Sequence, residues 1–150
     1  MNSIEKINFL LDQVETKLKI PNSTNGTPLL LREKNLKTIA KLYKSLELSK
    51  KHPNFSTLFN YTAMNLAGIG LKDENFGEIR EGKYVQIISI ANELNSEGQR
   101  VNKNSSLGYY GKAEKLEEKE KSKIIEFILR WRYEKTFQHS DYYEALLGKI

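Results

Sequence analysis

The order of apolar and polar residues along the chain predicts a series of amphipathic helices, because apolar residues recur every three or four positions. The first helix has an apolar face made of Ile4, Ile7, Leu11, Val14 and Leu18, and Ile20–Pro21 ends it. The second begins at Thr27–Pro28 and runs to about Lys50, with an apolar stripe made of Leu36, Ile39, Ala40, Tyr43 and Leu46.

Two further helices are predicted in the middle of the chain. One begins at Asn54 or Ser56 and ends at Gly68, with an apolar face made of Phe55, Leu58, Phe59, Thr62, Ala63 and Leu66. The other covers Tyr84 to Asn95. Its run from Val85 to Ile90 would also suit a buried strand, but the sequence offers no second strand to pair with it. We therefore predict a helix here.

The longest helix is predicted near residues 106–139, where the densest apolar segment and the only Trp, Trp131, occur. Between Glu117 and Lys123 no residue is apolar, so that part should face solvent or a polar partner. A short last helix, Tyr142 to Leu147, should fold back on the others. The expected fold is all-α, a single-domain bundle of about five to six helices over residues 1–150.

The amino-acid composition excludes several kinds of functional site. The chain has 150 residues, enough for one domain with a core, and the absence of Cys excludes disulfides and thiolate chemistry. Two His residues and three Asp residues argue against a metal site, so we expect no metal and no cofactor. No apolar run is long enough to cross a membrane, and the amphipathic residues 1–6 lack the apolar segment that is typical of a signal peptide. We expect a soluble cytoplasmic protein without membrane insertion.

The net charge of +5 is concentrated in residues 1–60, which hold ten Lys or Arg and five Asp or Glu. The second predicted helix carries a lysine stripe, roughly 130° around the helix from the apolar stripe, made of Lys34, Lys37, Lys41, Lys44 and Lys51. Such a stripe is typical of a solvated helix face. A second interpretation is a strip that faces the phosphate backbone of nucleic acid or an acidic protein partner.

Two segments resemble known families. The pair Arg132 and His139, separated by six residues, is similar to the Arg-x(4–6)-His signature of the HEPN ribonucleases, small all-helical and usually dimeric proteins that cut RNA without a metal. The resemblance implies that Arg132 holds the scissile phosphate and His139 assists proton transfer; Tyr133 stands where that family usually has a polar residue. Ile90 to Gly98 resembles a helix-turn element in the DNA-binding tail of serine recombinases, and an ordinary helix end explains the same residues.

Three functions stay open. The favoured hypothesis is a non-enzymatic, basic helical binding module that docks on a protein, a nucleic acid or a nucleoprotein assembly, with the lysine stripe as one surface. The second is a HEPN-like ribonuclease, for which a homodimer would bring two Arg132 and His139 pairs together. The third is a factor that binds only protein, of the effector or immunity type.

Overall fold

The structure, a computed structural model, describes residues 28–150. In this range the chain forms two α-helices and a three-stranded antiparallel sheet, in the order α1 (Pro28–Ser45), β1 (Ala63–Ala67), β2 (Tyr84–Leu94), β3 (Arg100–Lys112) and α2 (Glu118–Leu147). Four short 3₁₀ helices lie in the connections. The predicted first helix with Ile4, Ile7, Leu11, Val14 and Leu18 lies outside the described residues.

The prediction of an all-α bundle is wrong, because the centre of the chain forms a sheet. Tyr84–Leu94 is the central strand β2 and not a helix. The two strands that pair with it could not be recognised in the sequence, because β1 is short and β3 consists mostly of Asn, Ser, Gly and Tyr. The segment Ile90 to Gly98, assigned to a helix end, is the last part of β2 and the turn that follows it.

The other helix boundaries change with the sheet. The helix predicted from residue 54 to Gly68 is a 3₁₀ helix, Phe55–Asn60, followed by β1. The long helix predicted near residues 106–139 begins only at Glu118, after β3, and runs to Leu147. The separate last helix is therefore the end of α2. Neither of the two α-helices between residues 28 and 150 has both the length and the apolar character that spanning a membrane requires.

The core lies between the two helices and one face of the sheet. The predicted apolar stripe is part of this core, with Leu36, Ile39 and Tyr43 of α1 and Leu46 directly after it buried. The sheet contributes Val85 and Ile87 of β2 and Leu107 of β3, and α2 contributes Ile124, Phe127, Ile128 and Trp131. Because these side chains come from all layers, burial of apolar surface fixes the helices against one face of the sheet.

Strand β2 pairs with both other strands, so β1 and β3 are the edges of this sheet. Ile88 lies opposite Asn65 of β1 and Ser106 of β3. The register between β2 and β3 shifts between Ile87 and Ile88, and again between Tyr84 and Gln86. Such irregularities bend a strand and break the regular alternation of side chains over residues 106–112 of β3. Residues 100–105 pair in regular register, but they are polar except for Val101, so the sequence of β3 shows no strand pattern there either.

Candidate functional site: a cationic groove along the edge of the sheet

Helix α2 presents three basic or titratable residues, Arg132, Lys135 and His139, on the side next to β1. Their spacing of three and four residues places them on one helix face. The rotation of the helix is set by its neighbour Trp131, which is buried, donates from Nε1 to the carbonyl of Leu58 at 3.1 Å, and stacks on Phe59. Burial of Trp131 toward the core directs the basic residues toward the edge of the sheet.

Arg132 binds the backbone of the edge strand. Its Nε and Nη2 atoms donate to the carbonyl oxygen of Met64 at 3.2 and 2.9 Å, and Nη2 also lies 3.3 Å from Oδ1 of Asn65. Two donors on one carbonyl hold the guanidinium plane in place. Among residues 28–150, Nη1 has no hydrogen-bond partner, which leaves one end of the guanidinium for a ligand.

Lys135 lies one turn further along the same face. Its ammonium donates to the carbonyl of Phe59 at 2.8 Å and lies 5.5 Å from the centre of the Trp131 ring. Partial burial lowers the pKa of Lys135, because it removes water from the charged form. An anion bound nearby would stabilise the charged form of Lys135 and so offset the loss of hydration.

The three side chains line one cavity of about 330 Å³, whose opposite wall is formed by Thr62 to Asn65. The lining of this cavity contains no carboxylate. Thr62 and Thr136 add hydroxyl groups, and Asn65 adds an amide. Cations, hydroxyls and amides without a carboxylate are a set of groups that suits an anion.

A second cavity of about 450 Å³ continues along β1 beyond Arg132. It shares Asn65 and Arg132 with the first and adds Lys72, Arg80 and the single carboxylate Glu74. We call the two cavities together the β1-edge groove. Its cations are Lys72, Arg80, Arg132 and Lys135, and none of them forms an ion pair among the residues that the structure describes.

The loop between β1 and β2 brings Lys72 and Arg80 to this groove. It starts at Gly68, which has a φ of +89° and passes so close to Tyr84 that a Cβ would lie 2.8 Å from the Tyr84 carbonyl oxygen. The amide of Arg80 donates to the carbonyl of Gly68 at 2.9 Å, and the side chain of Asn75 accepts from the amide of Lys72 at 3.0 Å. The first contact holds the far end of the loop close to the end of β1, and the second closes a local turn at Lys72.

The residues predicted from sequence fall on different surfaces. Arg132 and His139 line the same cavity, and the structure adds Lys135 between them. Lys34, Lys37, Lys41 and Lys44 are exposed on α1, and Lys37 pairs with Glu33 at 2.9 Å. Lys51 lies after α1 in a separate depression of about 280 Å³ beside Tyr109 and Tyr110. None of these five lysines lines the β1-edge groove.

Sequence reasoning missed three cations of the groove. Lys135 could have been found, because it lies on the helix face shared by Arg132 and His139. Lys72 and Arg80 lie in a connecting loop and have no signal in the sequence. Among the described residues, no cluster of three or more His, Cys, Asp or Glu could hold a metal.

Comparison with known proteins gave no match to a protein-family model, a curated protein or a solved structure. The resemblance of Arg132 and His139 to the HEPN signature implied an all-helical fold, and the three-stranded sheet is not part of such a fold. A role for Arg132 and His139 is therefore supported only by the placement of both side chains in one cavity, and not by a shared fold.

Proposed function

We propose that this protein is a non-catalytic binding module that holds the phosphate backbone of a nucleic acid in the β1-edge groove. The observation that carries the proposal is the charge of the groove: four cations without an ion pair among the described residues, against the single carboxylate of Glu74. Neutralisation of phosphate by Lys and Arg supplies most of the sequence-independent affinity for nucleic acid.

The shape of the groove favours a polymer over a small anion. The groove follows β1, whose five residues span roughly 17 Å. Lys72 and Arg80 lie on one side of Arg132, and Lys135 lies on the other. An extended anion can contact all four, whereas a single phosphate would contact only one part. Thr62, Thr136 and Asn65 add neutral donors of the kind that bind phosphate oxygens.

The test compares two double variants with equal net charge. Lys72→Ala with Arg80→Ala removes two cations from the groove, and Lys34→Ala with Lys41→Ala removes two from the exposed face of α1. Binding of the full chain to a labelled RNA strand is measured by fluorescence anisotropy at about 50 and 200 mM salt. We expect only the groove variant to bind more weakly and to lower the slope of log K against log salt by about 2.

Other outcomes are equally clear. An equal loss in both double variants would mean that only net charge matters, and a larger loss in the α1 variant would move the site to the lysine stripe. No binding of RNA at low salt would overturn the proposal. If polyglutamate bound more tightly than RNA, the partner would be an acidic protein.

A second candidate function is metal-independent RNA cleavage, supported by the placement of Arg132 and His139 in one cavity. Arg132 could stabilise charge on a phosphate, and the exposed side chain of His139 could assist proton transfer in the same cavity. The same RNA is therefore analysed on a denaturing gel with EDTA present. Cleavage by the natural protein and its loss in His139→Ala would replace the binding proposal with a catalytic one.

A further inference from the structure

The sheet has one face toward the helices and one face away from them. On the inner face, Val85, Ile87 and Ser89 of β2 are fully buried. On the other face, which we call the outer face, side chains keep partial or large exposure. By the strand register this face comprises Ala63, Asn65, Ala67, Tyr84, Gln86, Ile88, Ile90, Asn92, Leu94, Arg100, Asn102, Asn104, Ser106, Tyr109 and Lys112.

Two tyrosines dominate one end of the outer face. The rings of Tyr84 and Tyr109 have centroids 5.7 Å apart and are inclined by 32°. Their exposed fractions are 47% and 54%, so neither ring serves the core. Flat aromatic rings exposed on an open sheet are the surfaces on which unpaired nucleic-acid bases stack.

The rest of the outer face is polar but not acidic. Asn65, Gln86, Asn104 and Ser106 supply both hydrogen-bond donors and acceptors, as the edges of bases require. None of the residues of this face carries a carboxylate, and the single acidic residue in the three strands, Glu93, alternates to the opposite side. Lys112, opposite Tyr84, adds a cation at the tyrosine end.

Asn65 connects the outer face with the β1-edge groove. Its side chain belongs to the outer face, lines both cavities of the groove, and lies 3.3 Å from Nη2 of Arg132. A strand with its phosphates beside Arg132 would therefore extend its bases across β1 toward β2 and β3.

We propose that the outer face stacks the bases of a single-stranded nucleic acid on Tyr84 and Tyr109 while the β1-edge groove holds its phosphates. This inference rests on the proposed function. It also restricts the ligand, because the bases of a duplex are stacked on one another and cannot reach an open sheet.

The first experiment uses the natural, full-length protein and three labelled ligands: a pyrimidine strand of about 12 nucleotides, an abasic strand with the same number of phosphates, and a duplex of the same length. We expect the base-containing strand to bind at least about tenfold more tightly than the abasic strand, since stacking strengthens binding at every base that contacts a ring. The duplex should bind no more tightly than the abasic strand.

The second experiment assigns the effect to the two rings. Tyr84→Ala with Tyr109→Ala should lose about tenfold in affinity for the base-containing strand and nothing for the abasic strand. The matched control is Tyr142→Ala with Tyr143→Ala, which removes another exposed tyrosine pair, with ring centroids 5.5 Å apart, from the end of α2. Replacement of Tyr84 and Tyr109 by Phe should restore binding.

The outcomes separate this inference from the proposed function. Equal binding of the base-containing and abasic strands would overturn the stacking role and leave the phosphate groove standing. Tighter binding of the duplex than of the base-containing strand would also overturn the stacking role. If none of the three ligands binds, the proposed function fails first. Should the double Ala variant unfold, the natural protein's preference between the two strands and the single variant Tyr109→Ala decide the question.

Discussion

Arg32 and Glu134, which are 102 residues apart, form an ion pair with 2.6 Å between Nε and Oε1. The carboxylate of Glu134 is almost completely buried, with 1% of the residue exposed. Nη1 of Arg32 also binds Asp141 at 2.6 Å, and the guanidinium lies over the ring of Phe137. This cluster joins the first turns of α1 to the second half of α2, next to the helix face that carries the groove residues.

Burial of the Glu134 carboxyl group makes stability depend on pH. Burial raises the pKa of Glu134 to about 7, although the charge of Arg32 opposes the shift. A raised carboxyl pKa means that the folded state keeps a proton that the unfolded state loses, so stability falls as pH rises from 4.5 to about 7. In urea unfolding, the natural protein should lose roughly 3 kcal/mol relative to Glu134→Gln across this window. Parallel pH profiles for the two proteins would contradict the assignment.

Replacement of Arg32 tests the same cluster by removing the cation of the ion pair. Arg32→Met leaves the Glu134 carboxylate buried without its partner and should cost about 3–5 kcal/mol at pH values above about 7, where the carboxyl group of the natural protein is ionised, as for other broken buried pairs. The matched control is Lys50→Met, which breaks an exposed pair with Glu47 and should change stability by less than about 1 kcal/mol. Arg32→Met combined with Glu134→Leu should recover most of the loss. Failure of the second change to restore stability would assign the effect to packing of Arg32 on Phe137.

Gly68 should be far less tolerant of a side chain than Gly98. Both have positive φ, but a Cβ at Gly68 meets the Tyr84 carbonyl oxygen at 2.8 Å, whereas at Gly98 it meets nothing within 4 Å. Gly98→Ala should therefore cost about 1 kcal/mol from backbone conformation alone. Gly68→Ala adds a steric clash and should cost about 1–3 kcal/mol more. Thermal unfolding of both variants gives the comparison, and equal losses would show that the close approach at Gly68 is easily relaxed.

The helices of this fold could be predicted to different extents from the sequence. Pro28 and the stripe of Leu36, Ile39, Tyr43 and Leu46 locate α1, because each of these residues obeys a local rule of helix formation. The sheet could not be predicted in that way. The apolar run of β2 is compatible with a strand, but a strand can be predicted only together with a second strand that pairs with it. Strand β3 is hard to recognise as that partner, because Leu107 is the only large buried side chain in its central part. Pairing between distant strands depends on tertiary contacts that no local pattern shows.

For the same reason, only some residues of the β1-edge groove could be predicted from the sequence. Arg132 and His139 share a helix face, so their proximity follows from spacing along α2. Lys72 and Arg80 reach the groove because the loop after β1 returns to Gly68 through backbone hydrogen bonds. Of the predicted lysine stripe, Lys34, Lys37, Lys41 and Lys44 are exposed on α1, whereas Lys51 lies after the helix, and a role of these lysines in binding stays a prediction.

Arg132 should affect stability and binding to different degrees, and the difference tests its role. Arg132→Gln removes the charge and the paired donors to the carbonyl of Met64, so the fold should lose about 1–2 kcal/mol. Arg132→Lys keeps the charge but cannot place two donors on that carbonyl, and it should lose a similar amount of stability. For RNA binding the two variants should differ: Gln should weaken affinity and lower the salt slope by about 1, whereas Lys should retain most of both.

His139→Ala is the matched control for these Arg132 variants, because His139 lines the same cavity but forms no hydrogen bond or ion pair among the described residues. It should leave the free energy of unfolding and the affinity for RNA near those of the natural protein. If Arg132→Lys weakened RNA binding as much as Arg132→Gln while stability fell equally, the contribution of Arg132 would be to hold β1 in place. The phosphate would then be bound by Lys72, Arg80 and Lys135 alone, and each of these three would show its own loss in salt slope on replacement by Ala.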